Sequence, residues 1–359
     1  MLDNTNNQKD FLIVGSGLAA CTVAHILHQN NLSFKIISNP NLSNSSLIAP
    51  GMWNPVVFKR MLKSWKANDL INFLIPFYQN IEIKTNSSIL SQRLLIKNFF
   101  EQQEIDLWNK KANENLTEFL QTPITFSKEL NLSECKLTEK VGIVNKAGNI
   151  NTLQYIKATL NYFKSFYEEQ LFNHSALKIS NNTINYNNEN YKNVIFCEGY
   201  LVKENPYFNF IKLKPAKGEI LNIKAENLNI NNSIINKDGF IFKKNNSEFI
   251  VGSTYSWDNL NEKTTETAKT ELINKLSQLI SCNYQITSQL AGIRPSSSDR
   301  RPIIGPHPKF KNLFIFNGLG AKGVMLAPFL ANNFVNFYLK KEDLIEDVNV
   351  NRFYSTYNE

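Results

Sequence analysis

The sequence predicts an α/β protein in two interleaved domains, and three features carry that prediction. An apolar run of strand length at residues 11–14 stops at a glycine turn and passes into helix-like sequence. A second glycine-rich turn, at 318–323, precedes a run in which Val324, Ala327, Ala331, Phe334 and Tyr338 recur at three- and four-residue spacing, as a buried helix face requires. Between them lie strand-like runs at 218–223, 239–243, 248–254 and 284–293 and a helical stretch at 265–280, which suit an antiparallel sheet.

Length and composition agree with this plan. A chain of 359 residues is long for one simple core and suits two. Its four cysteines (Cys21, Cys135, Cys197, Cys282) are widely spaced and lack a metal-ligand pattern, so neither a disulfide framework nor a zinc site is expected, and a reducing cytoplasm fits. Lys and Arg exceed Asp and Glu by 39 to 31, a net +8 spread along the chain and read chiefly as a solvated basic surface. Residues 11–21 end in Leu18-Ala19-Ala20-Cys21, the pattern of a lipoprotein cleavage site, but the preceding ten residues hold Asp3 and Asp10 against a single Lys9, the wrong charge for a secretory leader. No run approaches the roughly 18 apolar residues of a membrane span; the stretch at 70–78 is short and contains Pro76.

The first glycine turn carries the chemistry. Gly15, Gly17 and Ala20 fit the pattern G-x-G-x-x-G/A between a strand and a helix that starts at Leu18. The first glycine permits the turn, the second lets backbone approach a pyrophosphate, and the small third residue packs helix on strand. A phosphate then meets the positive end of the helix. This is the signature of a Rossmann-type dinucleotide-binding domain. The second strand, at 33–37, should end in an acidic residue that holds the adenosine ribose. Ser38 and Asn39 stand there instead, so Asn39 is the candidate ribose contact and the charge-assisted hydrogen bond is missing.

Further motifs follow in order: Ser45, Ser46, Gly51, Met52 and Pro55 in a Ser-rich, Gly-Met-x-x-Pro segment; the run 194–199 ending at Gly199; Pro215-x-x-Gly218-Glu219; Gly252-x-Thr254; Gly292-Ile293-Arg294-Pro295; and Asn317-Gly318-Leu319-Gly320 through Gly323. Together with the N-terminal turn, this set resembles the D-amino-acid oxidase superfamily of flavoproteins, which includes glycine oxidase and sarcosine oxidase. The resemblance reaches from Phe11 to about Phe337 and is vague from about 85 to 140. It implies FAD as cofactor, an FAD-binding domain assembled from residues 1–80, 141–210 and 286–359, and an α+β substrate domain with an antiparallel sheet from 81–140 and 211–285. It implies oxidation of a small-molecule amine or amino acid by hydride transfer to flavin N5, leaving an imine that water hydrolyses.

By the same resemblance, the FAD contacts are Gly15, Gly17, Leu18, Ala20, Asn39, Ser45, Ser46, Gly51, Met52, Gly199, Gly318, Gly320 and Gly323. Arg294 is expected to grip a substrate carboxylate; Pro295 holds it extended, and guanidinium suits a carboxylate bidentately. The alternative is a structural arginine paired with Asp299 or a backbone carbonyl. Lys322 and the backbone donors beside it would stabilise the reduced flavin. Phe240 falls where glycine oxidase carries a substrate-side tyrosine, and it lacks the hydroxyl. Tyr255 and Trp257 are candidate pocket residues, and Trp53 and Asn54 candidates for the flavin's surroundings. His25 and His28 read as helix-packing residues and His307 as a turn residue.

Two other functions stay open at this point. One is a flavin-dependent enzyme of the same superfamily that modifies the tRNA wobble uridine; the +8 charge is compatible with tRNA, but no methyltransferase segment or concentrated basic tract is expected here. The other is a non-enzymatic binding protein that keeps the fold.

Overall fold

The computed structural model describes residues 8–42, 44–180 and 183–357. Met1 and Asp3 of the leader lie outside them.

The apolar run at the N-terminus becomes the middle of a largely parallel sheet. Gln8–Val14 is flanked on one side by Phe34–Ser38 and then Tyr167–Glu169, and on the other by Glu189–Phe196 and then Leu313–Asn317, all parallel. Both faces of the sheet are packed here, Phe11 and Ile13 entering one core and Leu12 and Val14 the other, so Phe11, Leu12 and Ile13 are fully buried, which is why the strand reads as a continuous apolar run and not as an alternation. Short antiparallel strands finish the sheet: Ile303–Pro306 on Leu313–Asn317, and Ile184–Tyr186 with Lys178–Ile179 beyond Glu189–Phe196.

Three helices stack together on this sheet. Leu18–Gln29 packs between Thr152–Tyr162 and Gly323–Tyr338. The last of these starts beside Leu18 because Gly323 has no side chain; a Cβ there would stand 2.7 Å from Leu18 Cδ2. Ala67–Thr85 lies against Gly323–Tyr338, and its Tyr78 hydroxyl donates to the Val324 carbonyl at 3.1 Å. This helix absorbs Pro76 and the apolar stretch at 70–78. Among the described residues no helix is long and apolar enough to cross a membrane.

His25 is locked into this stack. Its Nε2 lies 3.0 Å from Thr159 Oγ1, its ring packs 4.9 Å from Phe163, and its Nδ1 has no partner. Burial holds its pKa down to about 3. In the unfolded chain the ring takes a proton as pH falls through its ordinary 6.5, while the folded protein refuses it until about 3. Stability is therefore complete above pH 6.5 and falls below it, by up to about 1.4 kcal/mol per pH unit. Urea midpoints at pH 7.5 and 5.0 should show a larger loss for the native chain than for His25→Gln; equal losses would assign the acid sensitivity to other groups.

The second sheet is mostly antiparallel. Its order runs Gln285–Arg294, Ala216–Lys224, Glu248–Gly252, Phe240–Lys243, Ser233–Asn236, Leu90–Asn98, Lys140–Ile150 and Met52–Trp53, with one parallel pair between Ser233–Asn236 and Leu90–Asn98. Helix Glu266–Ser277 covers one face through Leu272 and Leu276. The four strand-like runs and the helix read from the sequence are all present. Gln285–Arg294 joins this sheet as its run suggested, and Lys140–Ile150 and Met52–Trp53, which lie in segments expected to belong almost wholly to the other domain, hydrogen-bond within it too. Strand periodicity identifies a strand without saying which sheet it joins.

Candidate active site

The two sheets meet around a cavity of about 850 Å³, within the usual range for a bound small molecule or cofactor. One end is built by the N-terminal turn. Gly15 leaves the first strand at φ +114°, a conformation that side chains resist, and an added Cβ would lie 2.5 Å from the Cys197 carbonyl oxygen. The chain then enters the helix with no side-chain cap and no acid in its first turn; the Leu18 N–H donates to Ser46 Oγ at 3.2 Å. A glycine turn facing an uncapped, acid-free helix start is a cradle for phosphate. The second helix start, at Gly323 and Val324, also lines the cavity and is likewise acid-free and uncapped.

The opposite end is built by the second sheet. Arg294 ends the strand Gln285–Arg294 and lies across Gly218, where any Cβ would collide with the guanidinium at 2.1 Å. It donates to the carbonyls of Lys217 (3.2 Å) and Thr254 (3.3 Å) and to Ser253 Oγ (3.1 Å), and it sits 5.1 Å from the Tyr255 ring. Burial lowers its pKa from the ordinary value. Asp299 is not its partner: that carboxylate accepts from Arg352 Nε at 2.7 Å and from Ser297. Arg294 is thus a half-buried cation on the cavity wall, bonded to neutral groups only, with no carboxylate in ion-pair range among the described residues. Phe240 and Ile220 meet over Gly252, next to the Ser253 that holds it, and line the cavity with apolar surface.

Of the fifteen residues expected to contact FAD or to act on the substrate or flavin, all but three line this cavity. Ala20 is buried in the helix interface behind it. Gly318, at φ +73°, turns the chain against Ile303 one layer back. The Lys322 side chain points away and donates to Ser64 Oγ at 2.9 Å; burial, aided by nearby Arg301, lowers its pKa. Trp53 is core, with Nε1 donating to the Lys146 carbonyl and its ring against Gly148, and the Asn54 side chain closes a local turn on Val56. Tyr255 and Trp257 meet edge to face at the surface, 47% and 51% exposed. His307 Nδ1 accepts from the Lys309 and Phe310 N–H groups, a turn role.

The structure adds residues that sequence reasoning missed. Glu198 lines the cavity with its carboxylate held by Asn205 (2.7 Å) and by His174 Nε2 (2.8 Å), and His174 lines it too. Glu169 lines it beside Ser38. Glu198 stands inside the 194–199 motif, where it carries no signal of its own beside Gly199; His174 and Glu169 come from segments remote from the motifs, so only the folded sheet reveals them.

Comparison with known proteins decides the family. A family model described as FAD dependent oxidoreductase (DAO) matches residues 10–335. The chain belongs to this FAD-dependent oxidoreductase family. FAD is accordingly its cofactor, and the glycine cradle, the two positive helix starts and a cavity of about 850 Å³ fit a dinucleotide. Among curated relatives, the oxidoreductase is similar to glycine oxidase of Bacillus licheniformis, 27% identical over 116 residues, which is 32% of this chain and 31% of that one. The match thus spans about a third of the relative's length. Among solved structures, it is similar to glycine oxidase from Geobacillus kaustophilus (TM-score 0.77, 18% identical, 95% of this chain and 97% of that one). It is also similar to L-proline dehydrogenase from P. horikoshii (TM-score 0.81, 13% identical, covering 97% and 98%). These likenesses establish the shared fold over nearly the whole chain.

Proposed function

We propose that this flavoprotein oxidises a small amine that carries a carboxylate, an amino acid in the simplest case. The observation that carries the reading is Arg294, a cation with no carboxylate partner among the described residues, on the wall of a cofactor-sized cavity. A substrate carboxylate would replace water at the guanidinium and be fixed by paired hydrogen bonds. Phe240 and Ile220 would exclude water from the substrate's carbon skeleton. FAD, when bound, supplies the acceptor for the hydride leaving the substrate carbon.

The cofactor's pyrophosphate is assigned to the Gly15 and Gly17 turn, with Ser45, Ser46, Gly51 and Met52 along its length and Gly199 opposite. The start of the helix Gly323–Tyr338 is assigned to stabilising negative charge on the reduced ring, with Gly320 letting the chain approach. Lys322 adds positive charge from behind this turn, through space, because its ammonium is held by Ser64. Among known relatives, glycine oxidase and L-proline dehydrogenase are named for such substrates, and this favours an amino acid over tRNA or a purely binding role. The four free cysteines suit a reducing cytoplasm.

The test is spectroscopic. The purified chain should show flavin absorption and release FAD on denaturation. Anaerobic addition of glycine, iminodiacetate or L-proline, or of a wider amino-acid panel, should bleach that absorption for at least one compound. Bound FAD that no carboxylated amine reduces would refute the substrate class while leaving the family intact.

A further inference from the structure

We propose that Glu169, supplied by a neighbouring strand, takes the place of the missing acid at the end of the second strand and binds the adenosine ribose hydroxyls of FAD. The inference rests on FAD as the cofactor.

The expected position is compromised in this chain. Ser38 Oγ is engaged by Ser16 Oγ at 2.9 Å, and Asn39 Oδ1 accepts the Asn41 N–H at 2.9 Å in a local turn. Neither brings negative charge, and both are already bonded.

The adjacent strand brings it. Tyr167–Glu169 runs parallel to Phe34–Ser38 with Glu169 paired to Ser38, and the Gln170 N–H donates to the Ser38 carbonyl at 3.1 Å. Paired residues on parallel strands share a sheet face, and the strands lie about 4.8 Å apart, roughly the reach of a glutamate side chain. Alternation sorts the three residues. Tyr167 and Glu169 line the cavity, whereas Glu168 pairs with Lys35 at 2.6 Å. Glu169 is exposed, and among the described residues no cation pairs with it. A free carboxylate at the C-terminal edge of a parallel sheet, two strands from the glycine turn and directly beside the strand end that lacks the acid, is chemically what vicinal ribose hydroxyls require: two acceptors for two O–H donors.

The experiment compares flavin dissociation constants, read by fluorescence quenching in the reconstituted full-length chain, for the native protein, Glu169→Gln and Glu168→Gln. Loss of a charge-assisted contact should weaken FAD binding about ten- to a hundredfold in Glu169→Gln. FMN, which lacks the adenosine half, should bind native and Glu169→Gln proteins equally, and Glu168→Gln should match the native protein for both. The 2′-deoxyribose analogue of FAD gives a readout in the native protein alone: it should bind about tenfold or more weaker than FAD, which serves even if Glu169→Gln fails to fold. Unchanged FAD affinity in a folded Glu169→Gln, or a native protein indifferent to the 2′-hydroxyl, would overturn the proposal with the cofactor assignment intact. Absence of any flavin binding would overturn both.

Discussion

Replacing Arg294 with alanine is expected to lower kcat/KM for a carboxylated amine by roughly 30- to several-thousand-fold, the equivalent of about 2–5 kcal/mol for truncating one partner of a buried charge pair. The effect should be selective. An amine of similar shape without a carboxylate gains nothing from the guanidinium, so its kcat/KM should change little. The flavin spectrum should also persist, because Arg294 is held by the carbonyls of Lys217 and Thr254 and by Ser253, on or just beyond strands of the second sheet and away from the glycine cradle. Steady-state kinetics on the two substrate types would decide the matter; equal losses on both would reduce Arg294 to a structural tie.

Gly15→Ala is expected to abolish cofactor retention. The backbone at φ +114° costs an alanine about 1–3 kcal/mol, and its methyl would press on the Cys197 carbonyl at 2.5 Å, forcing apart the strands that form the cradle. Gly17→Ala separates folding from binding. Its Cβ would meet only the side chains of Asn44 and Ser46, at 3.3 and 3.4 Å. That variant should melt near the native temperature yet hold FAD more weakly, because its methyl stands where backbone faces the pyrophosphate. Paired thermal melts and flavin-release measurements check both; a Gly15→Ala protein that purifies with a full complement of FAD would contradict this account of the turn.

What the sequence revealed followed the range of each signal. The glycine turn at 15–17 and the helix from Gly323 were legible because strand, turn and helix are consecutive and their constraints local. Arg294 was legible through its setting beside Pro295 and the motif around it. The Ser38–Glu169 neighbourhood was not, since it depends on pairing between strands far apart in the chain. The same holds for His174 with Glu198. Lys322 shows a different limit: its place in the loop was readable, but the direction of its side chain depends on Ser64 and Arg301 from other segments. Trp53 was ambiguous because a large aromatic serves a core and a binding wall equally well until the facing residue, here Gly148, is known.

The short segment around Gly51 has a mechanical consequence. Gly51 and Met52 touch the cavity, yet the Gly51 carbonyl accepts the Ile150 N–H, and Met52 and Trp53 are stitched to Asn149 and Gly148 of the opposite sheet. A second stitch joins Ser296 to Leu319, beside the bond from Gly320 N–H to the Pro295 carbonyl. Wall and scaffold are riveted at two points, so the halves have little freedom to hinge like jaws. Heating should melt them as one unit, and a ligand seated in one half should raise the melting point of the other by the same amount.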